Sequence, residues 1–527
     1  MHGSTNGPPS PTQRPIRRVT QDRSSVDAPN SHNQKKPHIV LVIPRGEAVR
    51  NFLYSDTLRI LKENSRVTVL TVVHDEELIA AIGGYADEII PLKEYEPHPM
   101  SAFLRFVTEN AHDRWLWSEV AKNNWELRDR RAKEQGKQLS RRFLKITSCM
   151  LSNNPCLHAL TSLEQYAHWR LRTTREFDDL FARLKPDLVF NGSHIHGPAG
   201  DLPLRVAKRM GIKTAGFIFS WDNLSSRSRI FVPYDYYLVW HDAMKRQLLG
   251  IYPRIQPRSV FVTGTPQFDF HFKPEFVLTR EELCRRIGLD VQRPFILYTT
   301  GIWNHFFEEH RHVELVIRLL GEMPVELKPQ LVVRNYAKGT AEELKAMARQ
   351  KYADVVFPPV LWDERWYTPQ HEDLYIYTSL VRHAAMSINA ASTVTLEFLM
   401  LNKPVINLDF DPPGSNLPWC LGYERHIRFD HFWPIAQSGA SMVAKSEEDM
   451  RQMLHRGLTQ PEAGSKNRCA FVTNCFGNTL DGNSGRRVAE QLLALAQPQG
   501  TVVNRMDFPI NHRKHLDNRV QPTPHLH

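Results

Sequence analysis

Short, continuously apolar runs recur along this chain, separated by polar stretches of helical length. The first run, residues 38–43, reads HIVLVI and ends at Pro44-Arg45-Gly46. Unbroken apolar runs of this length are typical of strands buried on both faces of a parallel sheet. Comparable runs predict strands at residues 66–73, 85–92, 187–190, 213–219, 236–240, 259–262, 295–299, 331–333, 354–357, 386–388 and 405–408. The alternation of strands and helices predicts an α/β protein.

The series of strands and helices restarts after the turn Gly264-Thr-Pro266. A chain of 527 residues is too long for one core, since single cores stop growing near ~250–300 residues. We therefore predict two Rossmann-like parallel-sheet domains in tandem, at residues 37–268 and 276–496. Residues 100–184 carry aromatic and charged side chains at helical spacing, which predicts a helical insertion in the first domain. We expect its aromatic residues, such as Trp125 and Phe143, to lie mostly in the core.

Composition narrows the class of protein only slightly. The formal net charge of +10 suits an anionic ligand, an acidic membrane surface or nucleic acid, and it does not choose among them. The six cysteines include no CxxC pair and no zinc-finger spacing, which fits a reducing compartment. Residues 1–36 lack the apolar core of a signal peptide, and residues 497–527 are polar. We predict a disordered arm, a disordered tail and a cytoplasmic location.

The loop that follows the run at 386–388 is the best candidate for a ligand site. Parallel sheets bind ligands at the carboxyl ends of their strands. Small residues here open a helix, whose free N–H groups and dipole favour a phosphate group. Ser392 and Thr393 add hydroxyl groups, and Glu397 lies one turn further on, where a carboxylate can accept from both hydroxyls of a ribose. An ordinary capped turn remains the alternative.

Other strand ends offer further candidates. Arg334 could neutralise a diphosphate, and Thr300-Gly301 could allow close approach of the backbone to a ligand. The alternatives are a surface arginine and a common turn.

In the first half, Arg45 and Gly46 lie at the end of the first strand, next to where the two domains would face each other. His194 follows another strand and is the first candidate for a general base, with His196 two residues further on. Asp222 is the rival base. A structural histidine and a capped turn are the alternatives.

Several familiar motifs are missing from the sequence. There is no GxGxxG opening the first helix and no GxxxxGK[ST], which argues against a dehydrogenase and a P-loop protein. No pair of carboxylates follows a strand in a position to hold a divalent ion. We therefore expect metal-independent chemistry and no cofactor. No basic and aromatic signature of nucleic-acid binding stands out.

Four stretches resemble the twin Rossmann-like glycosyltransferases of GT-B type. They are Ser220–Ser226, Val262–Asp269, Ser387–Asp409 and Asp481–Gly485. Within that superfamily the chain resembles bacterial surface-polysaccharide biosynthesis proteins and CDP-glycerol glycerophosphotransferase-like proteins. In those families the strand that ends here at Arg334 usually continues His-Pro, whereas this chain has Asn-Tyr.

The resemblance implies transfer of a sugar from a nucleotide-diphosphate donor to a surface-glycan or glycolipid precursor. Thr300, Gly301, Arg334, Ser392, Thr393 and Glu397 would bind the donor. The alternatives are a glycerophosphotransferase, a nucleotide-sugar 2-epimerase and a non-catalytic scaffold of glycan assembly. Peripheral contact with an anionic membrane at its inner face is left open.

Overall fold

The computed structural model describes residues 36–73, 75–195, 197–226, 229–363 and 365–498. Seven parallel strands form the first sheet, in the order β3-β2-β1-β4-β5-β6-β7. They are β1 (His38–Ile43), β2 (Arg66–Thr71), β3 (Glu88–Pro91), β4 (Leu188–Asn191), β5 (Lys213–Phe217), β6 (Tyr236–Val239) and β7 (Val260–Val262). All six residues of β1 are buried, because helices cover both faces of the sheet.

A second sheet of six parallel strands has the order β10-β9-β8-β13-β14-β15. Its strands are β8 (Phe295–Thr299), β9 (Gln330–Arg334), β10 (Val355–Val356), β13 (Met386–Asn389), β14 (Val405–Leu408) and β15 (Met442–Ala444). A separate antiparallel hairpin joins β11 (Trp362–Asp363) to β12 (Thr368–Pro369). The predicted fold class is confirmed: two Rossmann-like parallel-sheet domains in tandem, the GT-B type of architecture.

Helices connect the strands and surround both sheets. Up to the end of the first sheet they are α1 (Gly46–Phe52), α2 (Asp56–Asn64), α3 (Glu76–Ile82), α4 (Pro99–Leu116), α5 (Glu119–Glu134), α6 (Gln138–Leu151), α7 (Asn154–Leu171), α8 (Glu176–Leu184), α9 (Gly197–Arg209), α10 (Asn223–Ser226) and α11 (Asp242–Ile251). The others are α12 (Pro266–Asp269), α13 (Arg280–Ile287), α14 (Glu309–Gly321), α15 (Glu342–Arg349), α16 (His371–His383), α17 (Thr393–Met400), α18 (Glu424–Arg428), α19 (Trp433–Ser438), α20 (Glu447–Thr459), α21 (Ser465–Phe476) and α22 (Ser484–Ala496). In the part of the chain that the structure describes, every helix is too short or too polar to cross a membrane.

The local sequence explains where helices begin. It also explains why one prediction, a single helix over residues 49–64, is wrong. Thr279 caps α13 by accepting the Glu282 N–H at 3.2 Å, as an N-terminal threonine should. The sequence predicts one helix over residues 49–64, but the structure has two, α1 and α2. The Ser55 hydroxyl accepts from the Thr57 N–H and starts the second helix, so the chain turns at this point.

The predicted helical insertion is present as α4 to α8. Trp125 lies in its core, as expected for the aromatic residues of this block. Phe143 does not, because it is 73% exposed on α6. The expectation that the aromatic residues of the insertion are core residues is therefore wrong for Phe143.

The last helix of the described chain, α22, packs against α2 and against β1, β4 and β5 of the first sheet. It follows the second sheet in sequence, so the chain crosses between the two sheets twice. The Asp269 carboxylate accepts the N–H groups of Ser484 at 3.0 Å and Gly485 at 2.7 Å. The domain ranges 37–268 and 276–496 remain predictions. Helix α22 belongs to the second range in sequence but packs against the first sheet.

Replacing Asp269 with alanine should weaken the attachment of α22. The change removes two charge-assisted hydrogen bonds to the start of the helix, and Asp269 is buried. We expect the free energy of unfolding to fall by about 3 kcal/mol. Urea denaturation followed by circular dichroism measures this loss.

The control is Glu94→Ala, which removes an exposed carboxylate outside the two sheets. Its free energy of unfolding should match that of the wild-type chain. Equal stability of Asp269→Ala and Glu94→Ala would show that the Asp269 carboxylate does not hold α22.

Candidate functional site

The carboxyl ends of the two sheets face each other across a cleft. Hydrogen bonds between described residues of the two sides join them, and two of these bonds involve strand-end loops. The Trp221 Nε1–H, after β5, donates to the Thr393 Oγ1, after β13, at 3.2 Å. The Gly46 N–H, after β1, donates to the Trp366 carbonyl of the hairpin at 3.0 Å. The predicted strand-end loops of both domains therefore belong to one region.

A network centred on Asn389 shapes the loop before α17. Its Oδ1 accepts from the Ser392 N–H at 3.0 Å and lies 3.0 Å from the Thr395 hydroxyl. The Asn407 Nδ2–H also donates to it, at 3.0 Å. Ala391 has a φ of 54°, a left-handed conformation that is costly for a residue with a Cβ. The network holds this strained turn and fixes the start of α17 at Thr393.

Trp221 occupies the space in front of that helix start. Besides its bond to Thr393, its ring meets His431 edge-on, with centroids 5.0 Å apart. Phe432 lies 6.2 Å from the same ring. The indole is therefore the main contact between the loop after β5 and the second domain at this end of the cleft.

Asp222 sits beside Trp221 and close to His431. The Ser226 hydroxyl donates to Asp222 at 2.6 Å. Burial lowers the pKa of His431, and the negative charges of Asp222 and Asp430 oppose that shift. The His431 Nδ1 is buried and has no hydrogen-bond partner among the described residues. Asp222 and His431 therefore lie close enough to interact electrostatically, with no hydrogen bond from the His431 Nδ1 to Asp222.

His194 is held by the end of β5. Its Nδ1 lies 3.2 Å from the Phe217 carbonyl and 3.3 Å from the Phe219 nitrogen. The Nδ1 side of the ring is therefore engaged with the backbone after β5. His196, the second predicted histidine of this loop, lies outside the described residues.

The Arg45 side chain points towards the hairpin of the second domain. Its guanidinium lies 5.5 Å from the centroid of the Tyr367 ring, and its Nε is buried without a hydrogen-bond partner in the described chain. The Lys338 ammonium is 5.9 Å from the same ring and forms an ion pair with Glu47. Burial, with Arg45 nearby, lowers the pKa of Lys338 to about 8. Two cations and one carboxylate therefore meet at this corner of the cleft.

The absence of a side chain at Gly46 allows the loop after β1 to contact the hairpin of β11 and β12. A Cβ at this position would lie 2.1 Å from the Thr368 Oγ1 and 2.4 Å from the Trp366 carbonyl oxygen. Since one obstacle is backbone, a side chain could not be accommodated without moving the hairpin. The glycine thus serves the contact between domains.

Thr300 and Gly301, after β8, are tied to neighbouring elements. The Thr300 Oγ1 accepts from the Tyr336 N–H at 2.9 Å. The Gly301 N–H donates to the Glu309 carboxyl at 2.9 Å, and the Tyr298 hydroxyl donates to the same group at 3.3 Å. Glu309 is fully buried, and burial raises its pKa to about 8. A neutral Glu309 therefore supports this loop near pH 7.

Arg334 forms a buried ion pair. Its Nη2 donates to both oxygens of Asp373, at 2.5 and 2.7 Å, and its Nη1 donates to the Pro359 carbonyl at 2.7 Å. The Trp362 Nε1–H also donates to Asp373, at 2.8 Å. Two of the three guanidinium nitrogens are therefore engaged within the second domain.

Glu397 is buried where α17 meets the linker between the sheets. The Tyr377 hydroxyl donates to its Oε2, and the His271 Nε2 lies 3.8 Å from its Oε1. Arg50 of the first domain is close enough for its pKa to be raised by the Glu397 charge, against a larger lowering by burial. The Arg50 Nη2 also donates to Gln267 at 2.7 Å. Three parts of the chain therefore converge on this carboxylate.

Sequence reasoning missed His431, Lys338 and Tyr377. Each owes its place to a contact between segments distant in sequence. The only local signal is the run Asp430-His431-Phe432, in which two polar residues precede an aromatic residue. The spacing of apolar residues does not identify this run as a site.

Two further observations bear on the site. Within the described residues, no group of three or more His, Cys, Asp or Glu side chains is placed to hold a metal ion. A cavity of 620 Å³ opens beside Lys213 and Tyr236, at the amino ends of β5 and β6. Because ligands of such sheets bind at the carboxyl ends, we place the site at the cleft and not at this cavity.

The chain matches no family model and no curated protein. Solved structures give remote likenesses. A UDP-N-acetylglucosamine 2-epimerase is 15% identical, with 87% of this chain and 95% of that chain covered and a TM-score of 0.49. A UDP-GlcNAc 2-epimerase from Neisseria meningitidis bound to UDP-GlcNAc is 13% identical, with coverage of 87% and 100% and a TM-score of 0.48. A glycosyltransferase from Rickettsia africae is 12% identical, with coverage of 87% and 99% and a TM-score of 0.44.

At these sequence identities and TM-scores, the similarity to the solved structures does not indicate the activity of this chain. The two parallel sheets themselves define the fold class, and the residues of the cleft are the basis for the proposed function.

Replacing Glu309 with glutamine should remove part of the pH dependence of stability. The unfolded chain releases this proton near pH 4.5, whereas the folded chain keeps it to about pH 8. Because the unfolded state binds fewer protons in that window, stability falls as the pH rises through it, by up to about 1.4 kcal/mol per pH unit. Glu309→Gln lacks this slope. Urea denaturation at several pH values between these limits measures the difference.

Glu314→Gln on the same helix is the control, because Glu314 is exposed. It should keep the slope of the wild-type chain. If Glu309→Gln keeps that slope as well, Glu309 is ionised in the folded protein at neutral pH.

Proposed function

We propose that this protein transfers a sugar from a nucleotide-diphosphate donor to a glycan or glycolipid precursor bound in the cleft. The observation that carries the proposal is the hydrogen bond between Trp221 and Thr393. It brings the loop with a candidate base, Asp222, against the helix start suited to the diphosphate. Donor and acceptor groups bound on the two sides would therefore meet.

The donor would bind mainly to the second domain. The start of α17 presents backbone N–H groups and the positive end of the helix dipole, with the hydroxyl groups of Ser392 and Thr393 beside them. Thr300 and Gly301 follow the adjacent strand β8, which pairs with β13. Arg334 is a weaker candidate for the donor site, since the Asp373 carboxylate neutralises its charge and holds its guanidinium.

The acceptor would bind on the first domain, near Arg45, Gly46 and the loop after β4. Catalysis would come from holding the two substrates together, removing the acceptor proton and stabilising the departing diphosphate. His194 and Asp222 are the candidate bases. Arg45 and Lys338, which both approach Tyr367, supply positive charge near the cleft. No metal ion or further cofactor has a part in this proposal.

Glu397 is the proposed ribose ligand. The Tyr377 hydroxyl donates a hydrogen bond to its carboxylate. Two ribose hydroxyls could replace that donor, because each is an O–H donor like the tyrosine hydroxyl. The proposal therefore requires Tyr377 and the ribose to compete for the same group.

A nucleotide panel tests donor binding. UDP, CDP, GDP and dTDP, free and as sugar conjugates, are compared by their effect on the melting temperature. One of them at a hundred times its Kd should stabilise the fold by about 2.7 kcal/mol. With that nucleotide, Glu397→Ala should raise the Kd by about 10–100-fold, because a charged hydrogen bond is lost. Calorimetry measures the change.

Tyr377→Phe separates a ribose ligand from a structural carboxylate. It removes the competing hydroxyl and leaves Glu397 in place, so nucleotide binding should be unchanged or tighter. If Tyr377→Phe weakens binding as much as Glu397→Ala, the pair only supports the fold. If no nucleotide binds, the chain is not a transferase of this kind.

Replacing the true base should lower kcat by about 10²–10⁴-fold while the nucleotide Kd stays the same. His194→Ala and Asp222→Ala are compared, with release of nucleotide in the presence of an acceptor as the assay. Asp222→Asn is the companion variant, because it keeps the hydrogen bond from Ser226 and loses only the charge.

Near-normal turnover in both alanine variants would eliminate both residues as the base. Interconversion of the sugar without an acceptor, and with the nucleotide retained, would replace transfer with epimerisation.

A further inference from the structure

Helix α6 carries its apolar side chains on the outside. Leu139, Phe143, Ile146 and Met150 recur every three or four residues, so they form one stripe along the helix. They are 79%, 73%, 62% and 73% exposed. An ordinary surface helix turns such a stripe towards the core. This helix turns it to solvent.

The inner face of α6 is polar, and it is firmly held. Arg141 is buried there, and its Nε donates to Asp129 of α5 at 2.7 Å. The Arg141 guanidinium also lies over the ring of Trp125, 4.8 Å from its centroid. Ser148 is buried on the same side. The outward direction of the stripe is therefore fixed by specific contacts of the opposite face.

Neighbouring helices enlarge the apolar surface. Helix α4 packs against both α6 and α7, so the three form one layer. More than half of the exposed large apolar side chains of the described residues belong to these helices. Besides those of α6, they are Met100, Phe103, Phe106, Leu163, Tyr166 and Leu171. A large exposed apolar surface of this kind marks an interaction site.

Positive charge accompanies the stripe. Residues 128–145 contain eight Lys or Arg and two Asp or Glu, a net charge of +6. Arg131, Lys133, Lys137 and Arg142 are exposed and make no ion pair within the described part of the chain. An anionic surface is complementary to this charge, whereas a second copy would place like charges against each other.

We propose that the exposed face of α4, α6 and α7, with the basic segment 128–145, docks this protein on an anionic lipid bilayer. The apolar side chains of α6 would enter the boundary between headgroups and acyl chains. The basic side chains would contact the acidic headgroups, as in other interfacial amphipathic helices. Docking stands independently of the proposed transfer reaction.

The docking face is connected to the cleft by α5. The Ser118 hydroxyl, at the start of α5, donates to the Ser225 carbonyl at 2.9 Å, just after Asp222. The Glu119 N–H donates to the Asp430 carboxylate at 2.7 Å, next to His431. Helix α5 therefore links the cleft, at its start, to the basic segment, at its end.

Vesicle sedimentation with the full chain tests the docking. Vesicles of phosphatidylcholine alone are compared with vesicles that also contain phosphatidylglycerol. The wild-type chain should bind the anionic vesicles more tightly, and salt should weaken the binding. Phe143→Ser with Ile146→Ser should lower the partition coefficient at least about 10-fold. Lys137→Gln with Arg142→Gln should lower it about 25-fold, near 5-fold for each charge.

Val325→Ser is the matched control, because Val325 is 84% exposed in the second half of the chain. It should bind vesicles like the wild type. Circular dichroism and thermal unfolding verify that all variants fold, as expected for changes at exposed positions. Equal binding of every variant would overturn the assignment of this face.

Two other results would also overturn the proposal. One is absence of vesicle binding. The other is a wild-type dimer, seen by analytical ultracentrifugation, that Phe143→Ser with Ile146→Ser converts to a monomer, since a second copy would then cover the face.

Discussion

Parallel strand pairing is the constraint on which the site depends. Within each sheet every strand runs the same way, so all loops after the strands emerge at one edge. Residues as distant in sequence as 45, 222 and 393 therefore reach the same region without any local signal that joins them. The bonds of Trp221 and Gly46 across the cleft follow from the fact that these two edges face each other.

The strands of both sheets except β15 could be predicted because their signal is local. A run such as residues 39–43 is apolar at every position, which is typical of a strand covered on both faces. β15 and the hairpin of β11 and β12 were not predicted. They are two or three residues long, and their pairing partners rather than their own composition make them strands.

The candidate site was predictable in position but not in detail. Ser392 and Thr393 lie at a helix start, as the small residues before them indicate. The partners of Arg334 and Glu397 could not be foreseen, because Asp373 and Tyr377 are on α16 and meet them only in the folded chain. A charged side chain predicted from sequence to face a ligand can equally satisfy a neighbour, and only tertiary contacts distinguish the two.

The return of α22 to the first sheet has a mechanical consequence. Two peptide segments join the halves of the molecule, the linker before α13 and the segment before α22, and Asp269 bonds one to the other. Two domains joined by one linker can rotate about several axes. A second linker beside the first restricts them to rotation about the axis that passes through both linkers. Opening of the cleft would therefore be a hinge rotation about this axis. The rotation would separate Trp221 from Thr393, whereas the hydrogen bonds of Asp269 would stay intact.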